Sequence, residues 1–194
     1  MKAVLRSIKP YWFYLICEGL KTIEVGKTAP KSKDWNKSVE LYCSKDIRSF
    51  NRIPKKYQDK YRHFLGKIWA QFVCDRVDEY TFSNLEAEYR INDIDIAKTC
   101  LNHSELIGYG KGKSLYGWHI SELKIYDKPK ELGEFYRSLP EKVLENGDYD
   151  CRKEWDVVCI DAPEGGDYCA ECPYGGRVQI TRPPQSWCFV EELK

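Results

Sequence analysis

The sequence predicts an α+β fold, a small mixed β-barrel or half-open sheet flanked by short helices. Stretches of strand length interleave with short amphipathic segments, and no regular strand–helix–strand rhythm of a parallel array is present. The chain has 194 residues, 42% hydrophobic and 31% charged, so one core is affordable without cross-links. It reads as a single domain over residues 1–194. The barrel is drawn from 1–126 and 178–192, and an insertion spans 131–177.

Met1 to Ile8 alternates as a short strand. Pro10 suits a first helical turn, so Tyr11 to Cys17 reads as a short buried helix, stopped by Gly19. Thr22 to Val25 alternates as a strand, Lys27 to Lys37 is a polar loop, and Val39 to Ser44 is a further strand. Over Pro54 to Gly66, Tyr57, Tyr61 and Phe64 or Leu65 recur at helical spacing, which favours a core role for these aromatics over base stacking. Lys67 to Tyr80 reads as one long strand. Helical material follows, with a start at Ser104-Glu105. Tyr116 to Tyr126 is another strand, closed by Lys128-Pro129, and Trp187 to Glu192 is the last. Glu131 to Arg182 lacks comparable strand signals.

The formal net charge is +1, which by itself names no polyanion partner. Residues 1–67, however, hold 16 Lys+Arg against 6 Asp+Glu, a net of +10, and the remainder is −9. Such segregation marks either a nucleic-acid face on a neutralising body or two faces that pair after folding. Lys45 to Lys67 alone carries eight cations and two carboxylates, a phosphate track interleaved with aromatics. No apolar run reaches the roughly 18 residues of a membrane span. The basic N-terminus is interrupted at Lys9-Pro10 with no small-residue cleavage site after it, so the expected location is cytoplasmic, with no membrane partner.

Gly19-Leu20-Lys21-Thr22-Ile23-Glu24, Leu115-Tyr116-Gly117-Trp118-His119-Ile120 and Arg182-Pro183-Pro184-Gln185-Ser186-Trp187-Cys188 occur in that order. Together they make the chain resemble the ASCH domain family of the PUA-like superfamily, in its bacterial and phage-like subset. The family signature is similar to Gly-x-Lys-x-x-Glu-x-Arg. Gly19, Lys21 and Glu24 match it, and its arginine position is Gly26 here. The resemblance implies a PUA-like mixed barrel with a cleft between barrel and helices, and binding of RNA or a modified nucleoside. Some small members of the family deacylate a modified cytidine with a threonine nucleophile three residues after the lysine. That position is Glu24 in this chain.

The expected ligand-binding residues are Lys9, Lys21, Glu24, Lys45, Trp118 and Trp187. On a strand from Thr22, Thr22 and Glu24 share a face, and Lys21 lies at the corner where its ammonium can swing toward Glu24. One cation then serves a phosphate and one carboxylate a base edge; the alternative is an ordinary surface ion pair. Trp118 and His119 point oppositely, one into the core and the other toward the cleft. Trp187 either stacks a base or anchors the last strand. If the protein is an enzyme, it is a hydrolase on RNA or a modified nucleoside, with Lys21, Glu24 and Thr22 as candidates. A protein-interaction module is the further alternative.

Nine cysteines without a secretion signal point to free thiols or a metal. Cys169-Ala170-Glu171-Cys172 is one Cys-x2-Cys knuckle, preceded by Cys151 and Cys159. The four thiolates would close a structural zinc site; free thiols and a redox pair are the alternatives.

Overall fold

The computed structural model describes residues 2–29, 37–138 and 177–192. Its elements, in chain order, begin with β1 (Lys2–Ile8), α1 (Pro10–Cys17), β2 (Ile23–Gly26), β3 (Lys37–Cys43), α2 (Ile47–Phe50) and α3 (Lys55–Arg62). Then come β4 (Ile68–Cys74), β5 (Val77–Tyr80), β6 (Phe82–Ser83), β7 (Glu88–Tyr89), α4 (Asp93–Thr99) and α5 (His103–Gly110). The chain continues through β8 (Leu115–His119), β9 (Ser121–Lys130), a 3-10 turn (Leu132–Glu134), β10 (Phe135–Ser138), β11 (Arg177–Gln179) and β12 (Trp187–Glu192).

The strands form a seven-stranded sheet in the order β11-β10-β12-β1-β3-β4-β9, a three-stranded sheet β2-β8-β5, and the small hairpin β6-β7. The architecture is mixed α+β. Among the described residues the outer strands β9 and β11 are not paired with each other. Although no parallel rhythm is visible in the sequence, β1 and β3 pair in parallel, because the crossover between them carries α1. The described ends of the 131–177 segment also extend the sheet. β10 pairs with β12, and β11 with β10.

The two long strands expected at 67–80 and 116–126 are each broken. β4 and β9 pair in the large sheet, whereas β5 and β8 pair in the small one. The breaks, at Asp75-Arg76 and at Ile120, lie side by side, and the His119 N–H donates to the Arg76 carbonyl at 3.0 Å. The pair thus turns a corner from one sheet to the other, the usual way in which stacked sheets meet at an angle. Pro129 does not close β9 but sits within it, which an edge strand tolerates because its outer N–H has no ladder partner to lose. A helical turn unseen in the sequence, α2, is started by Asp46, whose Oδ1 accepts from the Ser49 N–H at 3.0 Å.

The main core lies where one face of the large sheet (Val4, Ile8, Val39, Leu41, Phe72) meets Phe13 and Ile16 of α1, Phe50, Tyr61, Phe64 and Trp118. Tyr61 and Phe64 are buried and Tyr57 is half-buried, so the helical aromatics do serve the core. The other sheet face packs Leu5, Tyr42, Ile68, Phe135 and Val190. A third cluster, Val25, Tyr80, Tyr89, Leu106 and Leu115, joins the small sheet to α5.

Phe13 is fully buried and meets the edge of Phe64 at 5.7 Å between ring centres. Phe13→Ala should lower unfolding stability by about 3–5 kcal/mol in a denaturant titration. A loss below about 1 kcal/mol would mean that this helix is not anchored as described.

Candidate nucleic-acid interface

The end of α1 aims the first site residue. Gly19 takes a left-handed φ of +70°, and the N–H groups of Gly19 and Leu20 return to the carbonyls of Ile16 and Leu15. This Schellman closure reverses the chain and turns Lys21 inward. Lys21 is only 2% exposed. Its ammonium donates to the Thr99 carbonyl at the end of α4 at 2.6 Å and lies 3.3 Å from Glu24 Oε2. Burial drives the lysine pKa down, against the opposing pull of the Glu24 carboxylate.

Glu24 is 8% exposed, in the middle of β2 and directly opposite Trp118 on β8. A second cation, Arg6, approaches it from the large sheet. Arg6 occupies the same face of β1 as Val4 and Ile8 and is 3% exposed. Its Nη2 donates to Glu24 Oε1 at 3.3 Å, and its guanidinium lies over the Trp118 ring, 4.6 Å from the centroid. One carboxylate is therefore held between two cations in the gap between the two sheets, Lys21 from its own stretch of chain and Arg6 from β1.

Aromatic rings surround this group. Trp187 is the cross-strand partner of Arg6 on β12, lies 5.9 Å from Trp118, and donates its indole N–H to Thr28 Oγ1 at 2.9 Å. Tyr109 on α5 lies under the Lys27 ammonium, 4.8 Å from the ring centroid. Burial raises its hydroxyl pKa, and the negative charge of Glu24 adds to the rise. On the other side, Trp12 lies 5.3 Å from the Lys21 ammonium and 4.9 Å from the Arg52 guanidinium, which also covers Tyr11 at 4.1 Å. One indole thus joins the buried cluster to the exposed cations of α2, α3 and the turn between them, among them Arg48, Arg52, Lys55, Lys56 and Arg62.

Of the residues singled out in the sequence, Lys21, Glu24, Trp118 and Trp187 come together here. Trp118 is fully buried and forms the floor under Arg6, leaving His119 as the half-buried member of that pair. His119 bonds Asp78 at 2.8 Å. Thr22 immediately precedes β2, accepts from the Ile120 N–H at 3.0 Å through its carbonyl and is exposed, whereas Glu24 is buried. Lys9 is exposed and pairs with Asp46 at 3.5 Å, and Lys45 is exposed beside Gly66. Neither belongs to the cluster.

Arg6, Tyr109 and Trp12 are the members that sequence reasoning missed. Arg6 had one visible signal, a charge at a position whose strand neighbours Val4 and Ile8 are both apolar. Cys151, Cys159, Cys169 and Cys172 lie outside the described residues. Among the described residues, no group of three or more His, Cys, Asp or Glu side chains could hold a metal. The described cysteines Cys17, Cys43, Cys74, Cys100 and Cys188 are free thiols. Burial pushes Cys17 up to about 12 and Cys74 and Cys188 to about 11, so these three are poor nucleophiles at neutral pH. No helix among the described residues is long and apolar enough to cross a membrane.

No family model and no curated protein matches this sequence. Solved structures do. The crystal structure of ASCH from Zymomonas mobilis is 11% identical, with a TM-score of 0.50 over 99% of this chain and 87% of that one. One single-substitution variant of the same protein is 12% identical, with a TM-score of 0.46 over 68% and 77% of the two chains. A second is 11% identical, with 0.45 over 99% and 88%. At this identity the likeness is one of fold: the chain shares the α+β architecture of ASCH.

Lys21 also links this site to stability. Its folded pKa is depressed below the ordinary 10.5, so below that pH the unfolded chain binds more protons than the native one. Stability should therefore rise as pH climbs through the interval just beneath 10.5 and fall as pH drops. Lys21→Met should remove that component. Urea unfolding of both proteins across the alkaline range checks this, and parallel pH profiles would contradict it.

Proposed function

We propose that this protein binds RNA, or a modified nucleoside, in the cleft beside Lys21 and Glu24. The observation that supports the reading most strongly is the Arg6–Glu24–Lys21 cluster among aromatic rings. A carboxylate carries four lone-pair positions, and two cations use only part of that capacity. The remainder suits the N–H donors of a base edge, while Trp187 and Tyr109 offer ring faces for stacking. Arg48, Arg52, Lys55, Lys56 and Arg62 supply the sequence-independent attraction for phosphates, and Trp12 connects their surface to the cleft. The same reading takes the two sheets and their shared corner as a PUA-like barrel, and places the protein in the cytoplasm.

A hydrolase acting on RNA or a modified nucleoside is the second reading. It draws on Lys21, whose depressed pKa and carboxylate neighbour are features of proton-transfer sites. Thr22 is left out of it, since its side chain is exposed whereas Lys21 and Glu24 are buried. We also retain a structural zinc held by Cys151, Cys159, Cys169 and Cys172. Elemental analysis of protein purified without chelator should find one zinc per chain, and its absence would leave these residues as thiols.

The test of the main reading is binding to single-stranded RNA at graded salt. The logarithm of affinity should fall linearly with the logarithm of salt, and each phosphate contact removed should lower the slope by about 0.7. Arg48→Gln with Lys55→Gln should flatten the slope while leaving the melting temperature unchanged. A wild-type response that is already flat, or no binding at low salt, would exclude the basic face.

A further inference from the structure

Arg6 holds more hydrogen-bonding capacity than its surroundings use. Nη2 donates to Glu24, but Nε and Nη1 are closed to solvent and have no hydrogen-bond partner. A guanidinium stays charged throughout the accessible pH range, so it cannot escape the cost of burial by losing its proton. Buried donors without acceptors are rare in folded proteins, and each one that occurs calls for an explanation.

The space that Arg6 occupies is made by a glycine. A Cβ built on Gly26 would lie 2.7 Å from Arg6 Nη2, so the tip of the guanidinium would have to shift, and 3.2 Å from Nη1, tighter than ordinary contact. The backbone of Gly26 does not have a left-handed φ, so the glycine is explained by this close approach and not by its conformation. Positions 6 and 26, on different sheets, compete for one volume. In this chain the competition is settled in favour of a guanidinium from β1.

We propose that Arg6 is a ligand-binding residue, seated in the volume left by Gly26, and that the Arg6–Glu24 pair reads adjacent acceptor and donor groups on a nucleobase edge. This rests on the reading of the cleft as an RNA or nucleoside site. Glu24 accepts from a ring or exocyclic N–H, and the unpaired Arg6 donors meet the neighbouring carbonyl oxygen or ring nitrogen. The carboxylate decides between a base and a phosphate. With Glu24 3.3 Å from Nη2, an oxyanion at Arg6 would also meet a like charge, whereas a neutral heterocycle meets a matched pair. The planar rings nearby fit the same ligand. At this end of the site Trp187 is half-buried and Tyr109 is exposed.

The test compares two labelled ten-nucleotide probes, a random-sequence single-stranded RNA and an abasic oligonucleotide of the same length. Arg6→Gln should weaken binding of the base-bearing probe roughly 5- to 150-fold, the range for a bidentate base contact. It should leave the already weaker abasic probe unaffected. Gly26→Ala, which displaces the guanidinium without altering it, should reproduce the loss. Arg6→Lys keeps the charge and stem but not the fork, and serves if Arg6→Gln does not fold; it too should lose the base-bearing probe selectively. Unchanged affinity in all three variants would overturn the role of Arg6 while leaving the RNA reading in place. Equal loss on both probes would mean a phosphate contact and would overturn the base-edge assignment. If the wild-type protein binds neither probe, the RNA reading itself fails, and this inference fails with it.

Discussion

The arrangement depends on one carboxylate placed between two cations where two sheets face each other. Glu24 has only 8% of its surface exposed, and a buried charge of this kind is stable only with partners in place. Removing one partner of a buried ion pair costs about 3–5 kcal/mol, because the other is left uncompensated. Several features of the fold follow from that constraint. The reversal at Gly19 must aim Lys21 inward, and the end of α4 must offer the Thr99 carbonyl. Residue 26 has no side chain, which leaves the guanidinium of Arg6 room to reach across from β1. The burial cost of Glu24 is thus spread over three stretches of chain that are far apart in sequence.

A second buried carboxylate, Glu40, shows what a satisfied site looks like in the same molecule. It lies in β3 and accepts from Tyr126 Oη at 2.8 Å and from Lys130 Nζ at 3.2 Å. That group ties the centre of the large sheet to its edge strand, which is a structural role. The Arg6–Glu24–Lys21 group differs in having donors left over, rings beside it and a path of cations leading to it. Trp12 is the hinge of that comparison, since the same indole contacts Lys21 inside and Arg52 outside. A ligand spanning both would find a base-sized aromatic setting at one end and phosphate-neutralising charge at the other.

What the sequence disclosed, and what it hid, divides along physical lines. Lys21 and Glu24 were legible because local chain geometry brings them together: a glycine stop, a corner and the first residues of a strand. Arg6 was not, since strand alternation describes one chain segment and cannot show which face another sheet will cover. Val4, Leu5 and Arg6 are all buried, as expected only for a central strand covered on both sides. Tyr109 is brought in by a helix more than eighty residues from Glu24 and carried no local signal. The two bent strands read as continuous because Asp75-Arg76 and Ile120 interrupt pairing without interrupting strand-like composition. The four residues of α2 are too few for helical periodicity to register.

Ultraviolet cross-linking of the full chain to single-stranded RNA, with modified peptides mapped by mass spectrometry, tests the central claim most directly. A base held in the cleft will cross-link to the rings that line it, so the account predicts adducts at Trp187, Tyr109 or Trp12. Adducts confined to the far edge of the large sheet, along Ser121–Lys130, or to the β6-β7 hairpin would contradict it.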